Sequence, residues 1–235
     1  MTRAGFLLSA LLALLLACGG EADDEPATPT PTAEAPDATA LLVDAALAVA
    51  NLRSFHFELT QEDAIIPLPP NFDLTSAEGD VLLPDRLAAD LETEVQDVNV
   101  SVDAIAIGSD TWITNPFTRR WQKLDADLRD YADLGALLPL LLPAVQNPRL
   151  TGEASLDGVA TRQVTGVANS SDLQDALPFA LPNREVRIEV WLGVDDSLPR
   201  RVRVIGPLIS GESDAAVRQI DLSRLNQPVE IDPPT

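Results

Sequence analysis

Cys18 is the one cysteine of the chain, and it closes the run Leu15-Leu16-Ala17-Cys18. A thiol beside small and apolar residues, at the end of a greasy segment, suits one reaction: a lipid donor at a membrane surface places a diacylglyceryl group on the sulfur, and the chain is cut just before it. From Phe6 to Ala17 the 12 residues are apolar except Ser9, and Arg3 precedes them. That is short of the roughly 20 residues a spanning helix needs. A basic start, an apolar centre and a small-residue close make a secretion signal. We therefore expect a cleaved lipoprotein signal peptide over residues 1–17, with Cys18 left as an acylated anchor. The protein would then sit on the extracytoplasmic face of the cell membrane, at the cell surface or in a periplasm. A plain secretion signal with an incidental cysteine is the alternative.

Other reactive groupings are sparse. His56 is the only histidine, and its neighbours Phe55 and Phe57 point the other way on a strand, so it belongs to a solvated face. A Ser-His-Asp triad would have to use it, and the chain has no Gly-x-Ser-x-Gly elbow. With Cys18 spent on the anchor, no thiol remains for catalysis, a disulfide or a metal. Asp125, Asp127 and Asp130 lack the glycine turn of a calcium loop and read as a helix start. Asn169-Ser170-Ser171 matches a glycosylation pattern but reads as a helix cap, with Ser170 or Ser171 capping. The balance of 37 acidic against 16 basic residues leaves no clustered cations for phosphates, so nucleic acid is not an expected partner. No enzyme activity, metal or cofactor is expected.

Residues 19–40 hold four prolines, six acids and no base, aromatic or large aliphatic residue. Such a stretch cannot bury enough surface to order itself. Residues 18–40 are read as an acidic tether behind the acylated cysteine, and 41–235 as a single domain.

Within that domain the period first fits a helix, with Leu42, Ala46, Val49 and Leu52 on one stripe. Asp37 or Thr39 can cap it. The period then changes to two. Phe55, Phe57 and Leu59 share a strand face, as do Leu87, Ala89 and Leu91, and as do Val186, Ile188, Val190 and Leu192. Val98, Val100 and Val102 have one parity and Ile105 and Ile107 the other, which predicts a bulge or break near Asp103. Residues 110–124 read as a hairpin about "NPFT". The leucine-rich stretch 127–148 is expected to break into short helical pieces at Pro139 and Pro143. The sum is an α+β fold: a strongly curved antiparallel sheet with helices across its apolar face.

In this order the elements resemble the LppX/LprA/LprF/LprG family of bacterial lipoproteins, related in fold to the carrier LolA. The resemblance runs from Cys18 and the acidic tether through the "SFHFELT" strand and the "GSDTWITNPFTRRWQKL" hairpin with Trp112 and Trp121. It continues through "GVATRQVTGV", "EVWLGVDDSLPRRVRVIG" and the closing "IDLSRLNQPVEIDPP". It implies a half-open antiparallel β-barrel with helices on its concave face around a large apolar cavity. It also implies a lipoprotein that binds acyl lipids or glycolipids and helps carry them across the envelope, with an envelope transporter as a possible partner. The segment 62–76, "EDAIIPLPPNFDLTS", has no counterpart in that pattern.

Candidate lining residues are Phe55, Phe57, Leu59, Leu87, Leu91, Val100, Val102, Trp112, Ile188 and Val190. Leu134, Leu137, Leu138, Leu141 and Leu142 of the leucine-rich stretch join them as a wall or lid. In sequence, cavity lining and plain core look alike. The other reading is therefore an anchored interaction module, an accessory subunit of an envelope machine, with its sheet filled by its own side chains. Either form is expected to be a monomer. In the first, a buried chain of about 16 carbons gains on the order of 12 kcal/mol relative to water.

Overall fold

The computed structural model describes residues 36–68, 72–95 and 98–235. The signal segment, Cys18 and nearly all of the tether lie outside them. Helix α1 (Ala38–Val49) starts where the Asp37 side chain accepts from the Thr39 N–H at 3.1 Å. Leu42, Ala45 and Val49 face inward; Ala46, expected on that stripe, is half-buried.

Strands β1 (Ser54–Glu62), β2 (Ile66–Leu68), β3 (Phe72–Leu82), β4 (Arg86–Val95), β5 (Val98–Ile107), β6 (Asp110–Thr114) and β7 (Trp121–Leu124) precede helix α2 (Leu134–Ala144). Strands β8 (Gln146–Leu156), β9 (Val159–Asn169), β10 (Glu185–Gly193), β11 (Pro199–Ile205) and β12 (Val217–Ser223) follow it. All pairings are antiparallel, in the order β7-β6-β5-β4-β3-β1-β12-β11-β10-β9-β8, with β2 added beside β3. The last strand is therefore central, held between β1 and β11.

The sheet is a curved, half-open barrel. Ile113 near one end and Val164 near the other belong to one core with Leu42 of α1 and Leu141 of α2, so the sheet curls round its helices. Gly79 permits part of the bend: a Cβ there would meet the Ala88 carbonyl oxygen at 2.2 Å, so β3 and β4 close more tightly than a side chain allows. On the convex side Asp221, Glu58, Glu78, Asp90 and Asp103 stand directly opposite one another on successive strands. Like charges in such a row repel, and curling away from them relieves that repulsion. Arg201 pairs with Asp221 at one end of the row and Arg119 with Asp103 at the other.

Three local expectations are corrected. β5 has no bulge near Asp103: its register with β4 runs unbroken from Val98 to Ile107. From Val102 on the even positions face inward, with Ala104 and Ala106 buried and the larger Ile105 and Ile107 half-buried on the other face. α2 is one helix with both Pro139 and Pro143 inside it. The missing amide bonds are offset by Leu137, Leu138, Leu141 and Leu142, all at most 4% exposed. The short helix at Ser170–Leu173 is a 3-10 turn whose cap is Asn169, which accepts from the Ser171 N–H at 2.9 Å. Ser170 instead donates to the Leu181 carbonyl. None of the described helices is long and apolar enough to cross a membrane.

Candidate functional site

Between the sheet and its cover lies an apolar pocket. Its floor is Phe57 and Leu59 on β1, Ala77 on β3, Leu87, Ala89 and Leu91 on β4, Val202 and Val204 on β11, and Ile220 on β12. These are the inward positions of neighbouring strands, so the period of two carries them to one surface. One wall is Ile66, Leu68 and Leu74, from β2 and the start of β3. The roof is Leu128, Ala132, Leu134, Leu137 and Leu177.

Local hydrogen bonds hold the roof over the floor. Asp127 caps a 3-10 turn at Leu128–Asp130 by accepting from the Arg129 N–H at 3.0 Å. Its carboxylate also takes the Arg129 guanidinium at 2.7 Å, and that bond holds the Asp127 carboxyl below the usual carboxylate range. The Leu128 N–H donates to Thr111 Oγ1 of β6 at 3.1 Å, tying the turn to the sheet. Asp133 then caps α2 by accepting from the Ala136 N–H at 3.0 Å. A second recess shares Leu87, Leu128, Ala132 and Leu134 with the pocket and is rimmed by Asp85, Arg86, Arg129 and Asp133. The apolar slot thus continues into a charged margin near the β3–β4 turn.

Only about 60 Å³ of the pocket admits the centre of a water molecule. It is a narrow slot whose lining among the described residues is apolar but for Arg218. No group of three or more His, Cys, Asp or Glu side chains is placed to hold a metal among the described residues.

The expected lining residues divide into three sets. Phe57, Leu59, Leu87, Leu91, Leu134 and Leu137 meet in the pocket. Phe55, Val102, Leu138, Leu141, Leu142, Ile188 and Val190 are buried in the solid core beside it. Val100 and Trp112 belong to neither set, which corrects their assignment. Val100 shares the inward parity of Val102 but is only half-buried, because β6 pairs with β5 only from Ala104 onward. Trp112 has the parity opposite to the buried Thr111 and Ile113, so it faces outward, where Lys123 stands 5.6 Å from its ring centre.

Sequence reasoning passed over Ile66, Leu68 and Leu74, which sit in the segment without a counterpart. It also passed over Val202, Val204, Ile220 and Arg218. For β11 the signal was present, as two valines alternate with Arg201 and Arg203. For Arg218 it was the phase: the residue is two and four places from Ile220 and Leu222, on the apolar face. On the outer face His56 is half-buried, with Asp80 at 3.0 Å, Glu78 at 3.3 Å and the Arg224 guanidinium against its ring. Trp191, also on the outer face, is buried beneath Arg201 at 5.8 Å.

The described fold is similar to two solved structures. One is LprF from Mycobacterium bovis, at TM-score 0.69 and 18% identity, covering 85% of this chain and 98% of that one. The other is the lipoprotein LppX from Mycobacterium tuberculosis, at TM-score 0.61 and 22% identity, covering 83% and 97%. At those identities they establish the shared fold. No curated protein matches the sequence. The family model of the LppX_LprAFG lipoproteins matches residues 37–231, from the cap of α1 to the pairing partner of Arg86 after β12, and the chain belongs to that family.

Proposed function

We propose that this chain is a membrane-anchored lipoprotein that takes the acyl part of a lipid or glycolipid into the slot between sheet and roof and carries it across the cell envelope. The observation that carries this reading is the slot itself. Seventeen of its eighteen described lining residues are apolar, and it lies beneath short roof segments rather than beneath α1. Each methylene taken from water into such walls gains about 0.8 kcal/mol. A bilayer offers the same chain a similar environment, so exchange between bilayer and slot runs near balance, which is the condition for loading and unloading. A narrow slot suits one hydrocarbon chain at a time; further chains require the roof to move.

Cys18 supplies the anchor in this reading. The acidic tether read from the sequence behind it keeps the barrel close to the membrane that supplies its cargo. The test uses the full chain carrying Cys18→Ser, so that the only acyl chains present are those of a ligand. Native mass spectrometry should show a co-purified lipid, and a fluorescent acyl lipid should move faster between donor and acceptor vesicles when the protein is present. A protein that is ligand-free, takes up no acyl probe and leaves the transfer rate unchanged would end the proposal.

A further inference from the structure

Among the described residues, Arg218 is the one charged residue on the pocket wall, and its side chain is 4% exposed. One nitrogen of its guanidinium is occupied: Nη2 donates to the Ile65 carbonyl at 2.9 Å and to Glu212 Oε1. The Phe179 ring lies 5.7 Å from the guanidinium carbon. The other two nitrogens, on different edges of the group, have no partner: Nε and Nη1 are buried without an acceptor among the described residues. Burial pulls the guanidinium down from its ordinary pKa, against the opposing pull of Glu212.

Glu212 cannot turn to serve those two nitrogens. Its Oε1 also accepts from the Ile65 N–H at 3.4 Å, and its Oε2 accepts from the Leu208 and Ile209 N–H groups at 2.8 and 3.1 Å. The carboxylate is locked by the backbone of two loops, so the pair is fixed with its charge already balanced. Across the strand pair, Gln61 of β1 is in register with Arg218. It donates its amide to the Leu74 carbonyl at 2.7 Å and leaves its own Oε1 unpaired. Buried polar groups without partners are costly and rare, and a built site is one place they persist.

We infer that Arg218 is the polar anchor of the slot and that one of its free N–H groups, on Nε or Nη1, receives the carbonyl oxygen of an acyl ester. This rests on the lipid-binding reading above. An ester suits the site better than a free carboxylate. Glu212 already neutralises the arginine, so a second buried anion would carry an unbalanced charge, whereas a neutral carbonyl satisfies the donors at no charge cost. The slot would thus recognise acylated lipids by the linkage at the head of the chain, and the apolar floor would accept the chain itself.

The experiment competes methyl hexadecanoate, hexadecanoic acid and heptadecane against a fluorescent acyl probe on the full chain carrying Cys18→Ser. The ester should bind about tenfold or more tighter than the alkane, the worth of a hydrogen bond to a charged donor, and tighter than the acid. Arg218→Lys keeps a charge for Glu212 but not the free Nε–H and Nη1–H donors, and Arg218→Met with Glu212→Gln removes both charges. Each should bring ester and alkane to within about twofold of each other while the probe still binds. A carbon-13-labelled ester carbonyl should show a lowered infrared stretch in the parent protein that returns to its unbound position in Arg218→Lys. A preference for the acid, or an ester preference that survives in both variants, overturns the assignment and leaves the lipid-binding reading standing. Failure of all three ligands and of the probe on the parent protein overturns both.

Discussion

Ile188 and Val190 on β10 and Ala89 and Leu91 on β4 hold equivalent inward positions on the two halves of one sheet. Their surroundings differ. Ile188 and Val190 are fully buried, in the same solid core as Leu141 and Leu142 of α2 and Val164 of β9. Ala89 and Leu91 face the slot, because the roof above them is a 3-10 turn and the first turn of α2 rather than the helix body. The same alternating pattern of apolar residues therefore ends as packed interior in one half and as a lined gap in the other. What decides is the cover: Leu138, Leu141 and Leu142 of the helix body fill one half, and a short capped turn with the start of α2 bridges the other without filling it.

The largest test of that contrast is truncation. Leu141→Ala, in the packed half at 0% exposure, should cost about 3–4 kcal/mol in denaturant unfolding. Leu91→Ala should cost about half as much, since a side chain that already borders free space has fewer contacts to lose. Equal losses would show that the slot closes in solution. Filling gives the converse test. Ala168→Phe, in the packed half, should destabilise by about 2–3 kcal/mol. Ala77→Phe, on the floor of the slot, should cost under about 1 kcal/mol while lowering uptake of an acyl probe at least tenfold. If Ala77→Phe leaves uptake unchanged, lipid does not enter there.

The smallest effect concerns the outer surface of the slot half. Burial and a hydrogen bond with Asp103 raise the pKa of Asp90, with repulsion from Asp103 and Glu78 adding to the shift and Arg119 opposing it. A raised carboxyl pKa means the native state holds its proton more tightly than the unfolded chain. Its contribution to stability is therefore present below the unfolded value of 3.8 and is lost as pH rises through the folded value. Asp90→Asn should accordingly stabilise the protein at neutral pH by about 0.5 kcal/mol after allowance for solvent screening, with the gain vanishing in acid. Melting temperatures at pH 7 and pH 3 measure it.

Much of the architecture could be read from periodicity, because burial on one side imposes it. The strand of Phe55, Phe57 and Leu59 and the β10–β11 hairpin were legible for that reason, and Asp37 marked the start of α1 by its capping chemistry. The errors have physical causes too. Alanine counts as weakly apolar, so Ala104 and Ala106 concealed the inward face of β5 and the outward isoleucines seemed to shift its phase. Trp112 was placed by residue type rather than by parity. The prolines of α2 were weighed by local cost, although four buried leucines outweigh it. The division of apolar residues between core and slot was not legible at all, since both need the same side chains and only the cover tells them apart. Arg218 was legible and was missed: a charge in phase with Ile220 and Leu222 is the departure from pattern that a site produces.

β12 is made last and sits in the middle. Until residues 217–223 are in place, β1 and β11 each present a bare edge, and the strands from β7 to β1 and those from β11 to β8 are two separate ribbons. The pairings that join them bring together residues as far apart as His56 and Ser223, the kind of distant contact that forms slowly. The barrel is thus sealed from the tail end of the chain, like a strip closed by its final stitch. A protein cut short before β12 would hold most of its residues and almost none of its pocket.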